Sequence, residues 1–236
     1  MSVFKQKKAR LTTCGIVLCN ARNDDDTLRP KKDFPMPITT LTNPLRGKGL
    51  SNETGMAEGA IETDATAALA LYALCPVAAE TPLIDAPDLA STFGVAKLAL
   101  KDERQRMGLG SFKATGAAHA IAKMAATRAD PRNADAMKTA LSDVTFVCAS
   151  AGNHGLSMAA GARLFGAKAV VYLSDTVPES FAEKLRTKDT IVVREGANYE
   201  ASLEASEKAA ADNNWFLLAD GTWEGYSDPA RDVMEG

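Results

Sequence analysis

From Asp143 onward the chain alternates short apolar runs with helix-patterned segments, and nothing else in the sequence restricts its fold as strongly. The stretches "VTFVCAS", "KAVVYLS", "TIVVRE" and "WFLLADG" read as strands. Between them lie "AGNHGLSMAAGARLFG", "DTVPESFAEKLRTK" and "NYEASLEASEKAAADNN", which read as helices. The first of these ends at Gly166, a C-terminal stop signal. The second carries Thr176 and Glu179 at capping-box spacing, and the third starts at Asn198. Strands that are apolar nearly throughout and separated by helices predict an open parallel sheet with right-handed crossovers. Ligands of such sheets sit outside the carboxyl ends of the strands. Here those ends are "CASAGNHG", "LSDT", "REGANY" and "LADGTWEGY". The first is the most site-like, because it puts Ser150, Ala151, Gly152, Asn153, His154 and Gly155 on a turn into a helix. Backbone N–H groups at a helix N-terminus form an anion site, and glycines let a ligand approach the backbone closely.

Upstream the pattern is less regular. Residues 1–60 show no sustained period and read as an irregular arm, wrapped on a body or disordered. Within it "CGIVLC" follows Lys5, Lys7, Lys8 and Arg10, but the apolar core Gly15–Cys19 is shorter than a signal-peptide h-region of about 7–15 residues. A short helix is expected over Glu62–Leu74, then a loop, a helix over Asp85–Phe93, and a strand in "VAKLALKDE". Residues 130–142 read as a surface connection. No run reaches the roughly 18 apolar residues of a membrane span. A net charge of −3 provides no basic field for nucleic acid or acidic lipid. Cys14, Cys19, Cys75 and Cys148 form no CxxC or metal-ligand pattern and read as reduced thiols of a cytoplasmic protein, with no metal site.

One lysine stands out. In "GLGSFKATGA" Lys113 lies among glycines and small residues, at the head of "SFKATGAAHAIAKMAATRA", a helix apolar on most sides and therefore buried. A lysine amine becomes a nucleophile when desolvation lowers its pKa or when it condenses with an aldehyde. From the spacing alone, a snorkelling side chain at a helix edge is the better account.

Two motifs favour the chemical reading. "SFKATGA" resembles the Ser-Phe-Lys-x-x-Gly-Ala motif of fold-type II pyridoxal-phosphate enzymes, the tryptophan synthase β-like group, and "SAGNHG" resembles that group's substrate-carboxylate loop. "ETPL" at Glu80–Leu83 and "KDE" at Lys101–Glu103 are similar to further segments of the group, so the resemblance spans about residues 80–236. "KDERQRMGLGSFKATGA" and "LADGTWEGY" look most like diaminopropionate ammonia-lyase and its relatives. One departure stands against this. That pattern has an aspartate, linked to the D-substrate's α-proton, before Gly-Asn-His; this chain has Ala151, as in threonine and serine dehydratases.

The resemblance implies an α/β tryptophan synthase β-like fold (fold type II) with its small open parallel-sheet domain complete and its large domain only partly present. The implied organisation is an N-terminal irregular arm over 1–60 and the N-terminal part of the large domain, with Lys113, over 61–142. A small α/β domain over 143–222 and the start of a return to the large domain over 223–236 follow. The family's glycine-rich phosphate loop has no counterpart after Gly221, which implies a C-terminally truncated member or a site completed by another chain.

The implied cofactor is pyridoxal 5'-phosphate, bound covalently by Lys113, with Asn153 on its phenolic oxygen and Phe112 beside it. Phe112 serves as core packing equally well, while for Asn153 a plain helix cap is the lesser alternative. Ser150, Ala151, Gly152, Asn153 and His154 would bind the substrate carboxylate; for His154 a structural role stands level with this one. Asp220 would act as acid or base for an L-substrate, against a plain solvated aspartate. His119 reads as structural, and no role is assigned to Glu224 or Tyr226. The implied reaction is α,β-elimination from a β-substituted amino acid to a 2-oxo acid and ammonia, by a cytoplasmic enzyme that is a homodimer in the full-length family. Two other readings are a non-catalytic remnant and a nucleotide-binding module. The latter fails for want of G-x-G-x-x-G or a Walker lysine.

Overall fold

The computed structural model describes residues 14–19, 62 and 64–236. In chain order its elements begin β1 (Cys14–Cys19), α1 (Thr66–Tyr72), β2 (Leu83–Asp85), α2 (Pro87–Phe93) and β3 (Lys97–Asp102). A 3-10 turn over Arg106–Gly108 precedes α3 (Lys113–Ala126) and α4 (Ala134–Met137). Then come β4 (Thr145–Ala149), α5 (Asn153–Leu164), β5 (Lys168–Leu173), α6 (Glu179–Arg186), β6 (Ile191–Arg194), α7 (Tyr199–Asn213), β7 (Phe216–Leu217) and α8 (Asp228–Glu235).

The chain divides into two compact units. One comprises Met1–Thr54 with Glu80–Gln105. Its described part is α2 and an antiparallel sheet in the order β1-β3-β2, with Cys14 opposite Asp102 and Leu83 opposite Lys101. The segment weighed as a signal peptide is thus a strand, and the rest of the expected arm lies outside the described residues. β2 occupies a stretch read from sequence as loop, and Pro87 delays α2 by two residues because its fixed φ suits the first helical turn.

The other unit comprises Gly55–Ala79 with Arg106–Gly236 and holds a four-stranded parallel sheet in the order β6-β5-β4-β7. Period-two alternation sends Phe146 and Cys148 of β4 to one face, where they pack with Ile121, Met158, Ala159 and Leu185 of α3, α5 and α6. Val147 and Ala149 go to the other face, with Val170, Tyr172 and Ala210 of α7. Both faces are covered, as a parallel sheet requires. α3 and α5 approach closely at Gly161, where an added Cβ would sit 3.1 Å from Ala118 Cα.

Several local expectations need correction. The stretch 130–142 is mostly exposed, as a surface connection should be, but it contains α4 and anchors itself by burying Met137 and Leu141. The capping box at α6 does not form. Thr176 Oγ1 pairs with Ser174 Oγ at 2.8 Å, and Glu179 is drawn to Arg186 and Arg194. The fourth strand is only two residues long.

Candidate active site

The strand order sets the location. From β4 the chain advances through β5 to β6, then α7 carries it back to β7 on the opposite side of β4. The order therefore reverses between β4 and β7, the switch point beside which open α/β sheets bind ligands. Two loops leave the sheet there, Ser150–Gly152 after β4 and Leu218–Gly221 after β7.

The first loop braces itself. Ser150 Oγ accepts hydrogen bonds from Gly152 N at 3.3 Å and Gly155 N at 2.9 Å, and lies 3.2 Å from Gly152 O. A Cβ at Gly155 would meet Ser150 Cβ at 3.1 Å, so the hydroxyl seats only against glycine. His154 is buried, and its Nε2 donates to Leu218 O at 2.7 Å, tying the two loops together. Burial holds the imidazole below its ordinary pKa of 6.5, against the raising effects of the Leu218 carbonyl and Asp220. The side chains of Ser150 and His154 are therefore both engaged in bracing the loop. At the mouth of α5 the backbone N–H groups remain, with the part-exposed Asn153 amide, which makes no hydrogen bond among the described residues. A Cβ at Gly152 or at Gly221 would meet no atom within 4 Å, so both loops border open space.

Lys113 is the first residue of α3, its N–H donating to Ser111 Oγ at 3.2 Å. Its Nζ donates to Asp220 Oδ2. Burial alone would raise the Asp220 carboxyl, but the Lys113 hydrogen bond and the charges of His154 and Lys113 prevail and hold it below the ordinary 3.8. Phe112 is 58% exposed, so core packing within the described residues does not account for it. The structure thus brings Lys113, Asp220 and the Gly152–His154 turn to one switch point. His119 lies away from this group, buried with Nε2 3.3 Å from Glu235 Oε2.

Two residues of this region were missed by sequence reasoning. Tyr226 donates to Leu217 O at 3.1 Å and accepts from Ala219 N at 2.8 Å. Tyr199, first residue of α7, has its phenol raised by burial and by the Asp220 charge. For Tyr226 the Asp-x-x-Trp-Glu-Gly-Tyr stretch was the available signal; for Tyr199 its place after the third strand was.

A lysine amine paired with a carboxylate, an uncommitted amide at a helix N-terminus and open space beside two glycine loops fit the aldehyde and ring of pyridoxal phosphate. Fold and site define a parallel α/β protein with a lysine–carboxylate pair beside a helix N-terminus at its switch point. Residues 74–235 match the family described as Pyridoxal-phosphate dependent enzyme, and the chain belongs to it. Diaminopropionate ammonia-lyase of Salmonella typhimurium is 30% identical over 177 residues, 71% of this chain and 44% of the relative. The crystal structure of the Escherichia coli diaminopropionate ammonia lyase in complex with D-serine superposes with a TM-score of 0.69 at 27% identity, over 77% of this chain and 48% of that one. L-serine dehydratase/L-threonine deaminase of Bos taurus is 26% identical over 68% of this chain and 46% of the relative. The fold is that of fold-type II pyridoxal-phosphate enzymes, and the family's cofactor is pyridoxal phosphate. The chain spans under half the length of the curated relatives it matches.

Proposed function

We propose that this chain carries the reactive-lysine part of a pyridoxal-phosphate ammonia-lyase that removes the β-substituent and the α-proton from an amino acid resembling 2,3-diaminopropionate. The single observation that carries the reading is the Lys113–Asp220 hydrogen bond at the switch point, in a chain of this family. In this reading Lys113 holds the cofactor, Asn153 and Phe112 contact it, and the N–H groups of Asn153 and His154 at the start of α5, beside the open face of Gly152, receive the substrate carboxylate. Ala151 completes that loop without a side-chain role. The bound cofactor supplies the sink for the electrons left at the α-carbon. Lys113, once its amine is free and neutral, takes the proton at Nζ. Asp220, kept ionised, orients that amine and relays its proton. The β-substituent leaves as ammonia from a 2,3-diaminopropionate-like substrate, and hydrolysis by one water releases the α-nitrogen as ammonia with a 2-oxo acid.

Ala151 favours a second reading, a serine or threonine dehydratase, because the aspartate of the ammonia-lyase pattern is replaced there. We further propose a cytoplasmic homodimer, with residues 61–142 and 143–222 as parts of a larger and a smaller domain. Support for the dimer comes from Leu69, Leu74 and Val77, all exposed large apolar residues near α1. The contacts of the chain divide elsewhere, at Gln105, with Lys113 in the unit that holds the parallel sheet.

The test begins with the visible spectrum of the chain after addition of pyridoxal phosphate and desalting, beside Lys113→Ala. A band that survives desalting, is discharged by borohydride and is missing in the variant supports the reading. Ammonia and 2-oxo acid release from 2,3-diaminopropionate, serine and threonine then separates lyase from dehydratase. A variant that retains the band as wild type does would overturn the role of Lys113.

A further inference from the structure

Asp220 is delivered to Lys113 by a short and weakly paired stretch of backbone. β7 has only two residues and pairs with β4 alone, so one side of the segment leading to Asp220 has no neighbouring strand among the described residues. On the β4 side Leu218 N donates to Val147 O at 2.9 Å, and Leu218 O accepts from His154 Nε2 at 2.7 Å. In an extended chain the groups of Leu217 and Ala219 point the other way. Both meet one phenol, since Tyr226 Oη donates to Leu217 O at 3.1 Å and accepts from Ala219 N at 2.8 Å. The phenol thus does for this edge what another strand would do.

Tyr226 is itself held. Its ring stacks on Trp223 at a centroid distance of 4.3 Å and an interplanar angle of 13°. Backbone hydrogen bonds of 3.2 and 2.9 Å join the same two residues, with Gly225 at φ 83° in the turn between them. Thr222 Oγ1 donates to Tyr226 O at 2.9 Å. Burial pushes the phenol up to about 12, so at neutral pH it keeps the proton it must donate. Leu218 and Ala219 are buried, and a backbone N–H left there without a partner is costly.

We propose that Tyr226 is a positioning residue, which fixes Asp220 opposite Lys113 by hydrogen-bonding the backbone on the free edge of β7. The inference rests on the lyase reading for its functional meaning, but its test needs no turnover, so the two can fail separately. The probe is solvent exchange of the lysine ammonium groups, read by nitrogen-15 NMR on the full chain at neutral pH. Lys123 is the internal control. It lies on the same helix and is paired with Asp232 at 2.7 Å and Glu235 at 2.6 Å, away from Tyr226. In Tyr226→Phe the Lys113 ammonium should exchange about tenfold faster, the size of one hydrogen bond's net contribution, while Lys123 is unchanged. Asp220→Asn should show the same pattern. If Lys113 exchanges as in wild type, or if both lysines accelerate together, the proposal is overturned; the second result would mark Tyr226 as a general structural residue. Should Tyr226→Phe fail to fold, Trp223→Leu keeps the hydroxyl and removes the stack. It should accelerate Lys113 alone and by a smaller factor, and no acceleration would overturn the proposal equally.

Discussion

Between Lys113 and Asp220 the electrostatic gain is small, because their side chains are 41% and 26% exposed and water screens them. A pair in such a setting contributes about 0–1 kcal/mol to folding. The same contact matters far more if it prepares an amine for proton transfer, where a placed acid or base contributes about 10²–10⁴-fold. Asp220→Asn should therefore change the unfolding free energy by no more than about 1 kcal/mol while lowering turnover by about 10²–10⁴-fold on the lyase reading. Equilibrium unfolding and steady-state kinetics on the same preparation measure the two. A variant with unimpaired turnover and a large stability loss would recast the pair as structural. Asp220 was legible in the sequence through its motif, as were Lys113 and Asn153. The commitments of Ser150 and His154 were not. Their partners are Gly155 N and Leu218 O, and the latter is brought near only when β7 returns beside β4.

At the scale of elements, α3 reaches the site only because it lies hard against α5. Gly161 permits that approach, since an added Cβ would sit 3.1 Å from both Ala118 Cα and Ile121 Cδ1, and the first of these is backbone that cannot rotate away. Gly161→Leu should destabilise the fold by about 1–3 kcal/mol through overpacking. Urea unfolding should show a lower midpoint with an unchanged slope; an unchanged midpoint would mean that α3 can slide without cost. The alternation of strands and helices from β4 to β7 was readable because each period is local. Lengths and caps were not readable in the same way. β7 was expected to run through "WFLLADG", but its ladder with β4 covers only Phe216 and Leu217, Leu218 N adds one last bond to Val147 O, and Tyr226 takes Leu217 O and Ala219 N on the other side. Glu179 was expected to cap α6, but Arg194 of β6, distant in sequence and adjacent in space, competes for its carboxylate at 2.7 Å. α4 escaped notice because its four residues carry too little periodicity, although Asn133 Oδ1 caps it by accepting from Ala136 N at 3.1 Å.

Over the molecule as a whole, the linkage between loops sets how stability responds to acid. His154 joins the loop after β4 to the end of β7 through its neutral ring. In the unfolded chain a histidine protonates around its ordinary 6.5, whereas in the fold burial holds this one lower. Below 6.5 the unfolded state therefore binds a proton that the folded state refuses, and stability declines as pH falls. The decline has an upper limit of about 1.4 kcal/mol per pH unit for one group. Asp220 acts in the same direction but lower down. Its depressed carboxyl contributes stability above the ordinary 3.8, and that contribution is lost as pH falls through its folded value. Between pH values of about 7.5 and 5.5 the decline should therefore reflect His154 and not Asp220. His154→Gln retains an N–H donor for Leu218 O but cannot titrate, and His119, the other histidine of the chain, is present in both proteins. Urea unfolding of wild type and variant across that range should show a steeper loss of stability in wild type. Parallel curves would mean that the His154 ring takes up its proton in the folded chain as readily as in the unfolded one, and that the tie to Leu218 survives its charge.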